Sequence, residues 1–413
     1  MHAVVSIGLL IVAVAGLLTP RLRQVQWLVP VVLAGVAVAG GIASAAVAWD
    51  AVRPLLAPLA FVLLAVPMAV MLDRYGLFEE LAQVVAGGRR YLGGLWVLAA
   101  LVTALLNLDA AVVLLSPLYV RIAERREASR LALALQPALL SGLASSALPI
   151  SNLTNLIAVG RLHLSTWGFV EHLGLPTAVA SGVGWLAYRA SLGRIVAAEA
   201  AIVERAPELG REAPREPARP RSRTILVGGV FVIVVVAGFL VLPSFGGAPW
   251  EVAGAGDLVL AVLTRSVPWR VAPLDSAGTV LGLGVLASAA ARHLPVAHLL
   301  HGSTPLDTLG VSALSAGVAN AVNNLPAVLV ALPGLGHGPS WGAWAVLLGT
   351  NVGPLLVPSG SLAVLLWLAT VRRLGLEVHD RDYLRLGWRI GLPSFAAGLG
   401  ALVLVRLALG ASH

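Results

Sequence analysis

The sequence predicts an all-α polytopic membrane protein made of two inverted repeats, each with five spans and one re-entrant hairpin, and with helices broken at the membrane midplane. Three observations predict it. Of 413 residues, 58% are hydrophobic and only 12% charged, a balance outside the range of soluble domains of this length. The apolar residues fall into stretches of membrane-spanning length, with the charge gathered in short loops between them. Polar, helix-breaking clusters recur at corresponding places in the two halves.

Composition excludes several classes. The net charge of +8 is distributed over loops rather than one basic face, which argues against nucleic acid and sets the cations against the headgroups of a lipid bilayer. With no cysteine, disulfides, thiolate metal sites and cysteine nucleophiles are absent. The histidines lie at span ends and in loops without ligand spacing, so neither a metal nor any cofactor is expected. No G-x-S-x-G, H-E-x-x-H or Walker motif occurs, which argues against an enzyme and against an ATP site on this chain.

Charge placement sets the topology. Every cation is arginine, and an outer amino terminus makes Arg21/Arg23, Arg74 to Arg90, Arg121 to Arg130, Arg189 to Arg223, Arg265/Arg270 and Arg372 to Arg385 cytoplasmic. Only Arg53, Arg161 and Arg292 then fall in outer loops, and Arg389 snorkels to the cytoplasmic headgroups. The first apolar run lacks a basic leader region and a small-residue cleavage site, and reads as a retained span. The run 94–120 has arginines on both flanks, so it is expected to enter and leave on the cytoplasmic side, turning at Asn107-Leu108-Asp109. The spans are then 3–18, 27–48, 54–72, 131–160, 166–189, 224–242, 249–265, 274–291, 342–371 and 383–408, with a second hairpin, 308–333, open to the outside. Residues 190–223, rich in Arg, Glu and Pro, read as a cytoplasmic linker between repeats 1–189 and 224–413.

The repeats place their polar residues alike. Asn107 and Asp109 lie in the first hairpin, Asn323 and Asn324 in the second. Each hairpin precedes an interrupted span, 131–160 with Ser151, Asn152, Thr154 and Asn155, and 342–371 with Thr350, Asn351, Gly353, Ser359, Gly360 and Ser361. An odd number of spans per half makes the second repeat enter from the opposite side, and paired breaks of this kind mark the midplane site of secondary transporters. Helix ends at a break expose unpaired N–H and C=O groups, Pro149, Pro354 and Pro358 remove donors, and the Ser, Thr and Asn side chains add neutral partners. Asp109 is the one carboxylate expected deep in an apolar run, a candidate for proton coupling, with a neutral helix cap as the structural alternative.

Val357-Pro-Ser-Gly-Ser-Leu-Ala-Val-Leu-Leu-Trp-Leu368, with Asn323-Asn-Leu-Pro-Ala-Val-Leu-Val and Ser151-Asn-Leu-Thr-Asn-Leu, resembles the ArsB arsenite/antimonite efflux permeases over essentially the whole chain. The resemblance implies multi-pass residence in the cytoplasmic membrane, proton-coupled export of arsenite or antimonite, commonly a homodimer, and room for a cytoplasmic ATPase partner. NhaD-like sodium/proton antiporters and other anion permeases share the superfamily and stand as alternatives, with a non-transporting scaffold last. The related dicarboxylate symporters carry Ser-Asn-Thr at both hairpin tips, and the tips here depart from that. The first tip also departs from the permeases' Asn-Asp-Gly, since Leu108 and Ala110 flank the retained Asp109.

Overall fold

Apolar runs make helices here, and Pro, Gly and capping residues decide where the helices stop. A computed structural model describes residues 2–19, 25–205, 222–294 and 296–410, and no strand occurs among them. Arg21, Arg23 and residues 206–221 of the expected linker lie outside the described residues.

The first half opens with α1 (His2–Leu18), α2 (Leu28–Ala39), α3 (Ala45–Val52), α4 (Leu56–Tyr75) and a short α5 (Leu77–Gly87). Then come α6 (Tyr91–Leu105), α7 (Leu108–Arg125), α8 (Arg130–Leu143), α9 (Leu153–Leu162), the single turn α10 (Thr166–Phe169) and α11 (Leu175–Arg205). The second half has α12 (Ser222–Val241), α13 (Pro249–Thr264), α14 (Leu274–Ala291), the single turn α15 (Val296–Leu299) and α16 (Pro305–Val322). It closes with α17 (Asn324–Ala331), α18 (Trp341–Val352), α19 (Leu362–Arg373) and α20 (Asp380–Gly410). Four continuous helical stretches among the described residues are long and apolar enough to cross a membrane: Ala45–Tyr75, Ser222–Phe245, Trp269–Ala291 and Asp380–Gly410.

Two expected boundaries shift for local reasons. The span drawn as 27–48 ends at Ala39, because Gly41 takes a positive φ of 71°. The Ser44 side chain then accepts from Val47 N and starts α3, which runs on through a 3-10 turn into α4. The linker drawn from 190 begins instead inside α11, which continues to Arg205. Its Glu199 accepts from the backbone N–H of Arg130 and Leu131, both at 3.2 Å, and from the Ser129 hydroxyl. A residue assigned to the linker thus satisfies the free donors that open α8.

The limbs α6 and α7 lie side by side and antiparallel. Tyr119 Oη donates to Leu95 O at 2.6 Å, each residue twelve positions from Asn107. At the open end the Arg126 guanidinium sits 4.4 Å from the centroid of the Tyr91 ring. Beside it Glu79 of α5 bonds Arg121 at 3.1 Å and Arg125 at 3.4 Å. Partial burial pushes the Glu79 carboxyl up, but the Gln83 amide and the two guanidiniums outweigh it and hold the group below its ordinary value.

Across the halves, α4 packs along α13, α14 along α2, and α11 along α20. Small residues let the inner helices approach closely. A Cβ on Gly349 would lie 2.3 Å from Ser312 O, and one on Gly353 2.3 Å from Ala316 Cβ, which locks α18 onto α16. Leu226, Ile233, Leu258 and Val262 of α12 and α13 are exposed, as an outer surface bathed in lipid requires.

Candidate functional site

The two interrupted spans break in the same way. In the first, Leu148 is extended (φ −138°, ψ 157°), Pro149–Ser151 make one 3-10 turn, and Asn152 is extended again (φ −147°, ψ 138°) as N-cap of α9. In the second, Val357 (φ −133°, ψ 139°), the turn Pro358–Gly360 and Ser361 (φ −138°, ψ 133°) repeat the sequence of conformations before α19. Proline begins each turn because its fixed φ suits that position and its missing N–H would be unpaired there anyway. Gly360 has a steric reason too, since a Cβ would lie 2.8 Å from Pro354 O and 3.1 Å from Asn320 Oδ1.

The first break is held by its own side chains. Ser151 Oγ donates to Ser145 O at 2.6 Å, and Asn155 Nδ2 donates to Ser145 O at 2.8 Å and to Leu148 O at 3.1 Å. These bonds satisfy carbonyls of the non-helical segment between α8 and α9. Asn152 Oδ1 caps α9 by accepting from Thr154 N at 3.2 Å. Asn351, at the end of α18, then joins the halves. Its Oδ1 accepts from Asn152 Nδ2 at 2.8 Å and from Thr154 Oγ1 at 3.3 Å, while its Nδ2 donates to Asn155 Oδ1 at 2.7 Å.

Each hairpin tip is capped by an asparagine. Asn107 Oδ1 accepts from Asp109 N at 2.7 Å, and Asn323, at a positive φ of 80°, accepts from Leu325 N at 3.4 Å. Asn323 Nδ2 also donates to Ser359 O at 3.0 Å, tying the second tip to the second break. Asn320, absent from the sequence-based set, donates to Gly353 O and Ala316 O, both at 2.8 Å. Its signal was legible: it lies three residues before Asn323, on the same helix face.

The expected residues divide into two groups. Ser151, Asn152, Thr154, Asn155 and Asn351 form one buried network, and Asn323, Gly353, Ser359 and Gly360 meet around the second break. Thr350 turns away, donating to Val346 O of its own helix at 2.8 Å. Asn324 is buried at the second tip, and the Ser361 side chain does not cap α19. Asp109 lies in the first turn of α7, and its carboxylate has no hydrogen-bond or ionic partner among the described residues. Asn107 Nδ2, Ser146 Oγ and Asn320 Oδ1 are likewise buried without partners there.

Two charged residues depart from expectation. Asp257, passed over in the reading of Asp109 as the one deep carboxylate, sits in the middle of α13, buried on the helix face that packs inward. Asp109 is therefore not alone as a deep carboxylate. Arg406, left out of the arginine tally, is buried beside the second hairpin, donating to Thr304 O at 2.6 Å and to the Thr308 hydroxyl. Arg389 is exposed.

A cavity of about 280 Å³ opens at the far ends of α9 and α17, lined among others by Asp50, Arg161, Ser288, Arg292 and Pro333. Arg161 follows Asn152 by nine residues, about 13 Å along a helix, so the cavity lies one short helix away from the network. No group of three His, Asp or Glu side chains placed to hold a metal occurs among the described residues.

Broken helices held tip to tip inside a bundle of spans, with neutral polar groups at the breaks, define a multi-pass membrane transporter rather than an enzyme. The comparisons agree in kind. The family model described as citrate transporter matches residues 2–349, and the chain belongs to that family. The model described as arsenical pump membrane protein matches residues 296–405. The chain is 26% identical to the arsenical pump membrane protein of Yersinia enterocolitica over 372 residues, covering 82% of this chain and 83% of that one. It is 27% identical to the protein of that name from Escherichia coli K12 with the same coverage. An uncharacterized transporter of Mycobacterium tuberculosis is 26% identical over 322 residues, 72% of this chain and 73% of that one.

Proposed function

We propose that the protein exports arsenite or antimonite across the cytoplasmic membrane in exchange for protons. The observation that carries this reading is the pair of like-shaped breaks joined by Asn351. Backbone of that kind is stable within a membrane only where protein buries it or a solute path runs past it. The two halves, 1–189 and 224–413, act as inverted repeats, with α6–α7 and α16–α17 as hairpins re-entering from opposite sides. The solute is met by neutral groups at the breaks, with Ser146, Ser359, Ser361, Asn107, Asn320 and Asn324 the ones not bound up in the first network. Neutral donors and acceptors suit a small trihydroxide, which carries no charge at physiological pH and needs no counter-charge. A neutral solute cannot be driven by membrane potential, so an inward proton taken by Asp109 supplies the work. The cavity bounded by Arg161 and Arg292 is then the outer mouth of the path.

The family description and those two arginines favour a second reading, in which the solute is a small anion drawn to the outer mouth. One set of everted vesicles separates the two. Wild-type vesicles are expected to accumulate arsenite under an imposed proton gradient and to leave citrate outside. Asp109→Asn, which keeps the shape of the first turn of α7 and cannot carry a proton, should lose accumulation and retain downhill exchange. Uphill arsenite transport by that variant would remove Asp109 from the coupling, since Asn107 and not Asp109 caps α7, and citrate transport without arsenite transport would establish the anion reading. The homodimer and the cytoplasmic ATPase partner that the resemblance adds are tested by co-purification from the membrane.

A further inference from the structure

The bundle holds a second deep acid that the solute site does not use. Ala253, Gly256, Asp257 and Leu260 form the buried stripe of α13, at the i, i+3, i+4, i+7 spacing of one helix face. Asp257 is 6% exposed, and neither carboxylate oxygen has a hydrogen-bond partner among the described residues. The buried face beside it packs on apolar side chains. A Cβ on the adjacent Gly256 would lie 2.9 Å from Met68 Sδ, 3.2 Å from the Phe231 ring and 3.6 Å from Val235. In the facing helix α4, Pro67 has no N–H for the Leu63 carbonyl, which leaves a backbone acceptor without its usual helical donor.

The titratable groups on the packed elements stand apart. They are Glu251 on α13, Asp73, Arg74 and Tyr75 on α4, and Arg223 on α12. Glu251 is six residues away and Arg223 eight from Phe231, about 9 and 12 Å along their helices. Arg74 is engaged elsewhere, with Ser266 Oγ at 2.6 Å. Asp257 therefore has neither a counter-ion nor the cage of oxygens that a hard metal cation requires. The occupant that suits a buried carboxyl without a hydrogen-bond partner, on a helix face packed against apolar side chains, is a proton. The position also has a route to the solute site, because α4 lies against α13 and also contacts α7 and α9, the helices that begin at Asn107 and Asn152.

We propose that Asp257 is a second proton-carrying group of the transporter, loaded and unloaded within the transport cycle, with α4 linking it to the helices that open at the breaks. This rests on the proton-coupled reading above. A buried acid retained without a partner costs stability and calls for a functional return.

The test compares wild type, Asp257→Asn and Asp257→Leu in everted vesicles and as purified protein. Each proton coupled to a neutral solute multiplies the attainable gradient about tenfold per pH unit across the membrane. Both variants should fold with thermal midpoints equal to or above wild type, keep downhill arsenite exchange, and lose about that tenfold factor of accumulation per pH unit. In the protein alone, infrared difference spectra between acid and alkaline buffer should contain a carboxylic C=O band that Asp257→Asn removes. Unchanged accumulation in the variants, or the absence of such a band, makes Asp257 a passive buried acid and overturns the proposal. A lowered midpoint together with loss of exchange makes it a packing residue and also overturns it. Wild-type protein that moves arsenite without protons overturns the coupling reading first and this one with it. That outcome is distinct, because the spectral band at Asp257 is read without any solute.

Discussion

Asn351 Nδ2 donates to Asn155 Oδ1 at 2.7 Å, joining residues 196 positions apart and fixing the end of α18 against the first turn of α9. The orientation of both amides follows from their other bonds. Asn155 Nδ2 is committed to the carbonyls of Ser145 and Leu148, so its oxygen must accept, and Asn351 must then turn its own oxygen to Asn152. Replacing Asn351 with Ala strands the Asn155 oxygen and the Asn152 amide in a buried site. The expected cost is about 2–3 kcal/mol, read as a lowered thermal midpoint in detergent. An unchanged midpoint would mean that the halves are not held together here.

Asn155 and Ser361 occupy different situations and should fail differently. Every hydrogen-bonding group of the Asn155 side chain is engaged within the protein, whereas Ser361 leaves its helix uncapped. Asn155→Ala is expected to destabilise the fold. Ser361→Ala should leave the midpoint intact and weaken solute binding by about 1 kcal/mol, roughly fivefold in affinity. Equal thermal destabilisation by the two substitutions would contradict the distinction.

Gly353→Ala would place a methyl group 2.3 Å from Ala316 Cβ, in a contact between two backbones that have no flexible side chain to move aside. Overpacking of this sort costs about 1–3 kcal/mol. Expression and midpoint should both fall, and the double variant Gly353→Ala/Ala316→Gly should recover part of the loss.

Arg126 over the Tyr91 ring places both ends of the α6–α7 hairpin at one side of the molecule. Single cysteines at Arg90 and Arg125, introduced into a chain that has none, should react with an impermeant reagent from the same side of the membrane, the cytoplasmic one. Labelling from opposite sides would eliminate the re-entrant hairpin and the inverted repeat.

The second hairpin starts with a capping box. Thr304 Oγ1 accepts from Asp307 N at 3.1 Å, and Asp307 Oδ2 accepts from Thr304 N at 2.7 Å and from Ser303 Oγ at 2.6 Å. The Ser303 and Thr304 bonds hold the Asp307 carboxyl below its ordinary value of 3.8, with Arg406 adding to the effect. A depressed folded value means that the cap's contribution is complete above pH 3.8 and is lost as pH falls through the lower folded value. Amide exchange in the first turn of α16 should therefore accelerate in strong acid and not between neutral pH and pH 5. Asp307→Asn should abolish the acid step.

The sequence alone determined the features whose causes are local. Apolar runs dictate helices, and Pro149 and Pro358 with their polar neighbours dictate where two of them break. Capping is local too, but the sequence offered Asp109 as the cap of α7, and the structure gives that role to Asn107 two residues earlier. The tertiary structure decided everything that depends on which faces meet. Asn351 was visible as a polar residue near a break, but its partners lie in the other half of the chain. Asp257 stands at the centre of the expected span 249–265, but only the packing of α4 and α12 against α13 turns its carboxyl inward rather than to the outside. Glu199 read as linker charge until α11 carried it onto the start of α8. Periodicity specifies a helix and its faces, while the choice of partner for each face is a long-range packing outcome that no window of sequence contains.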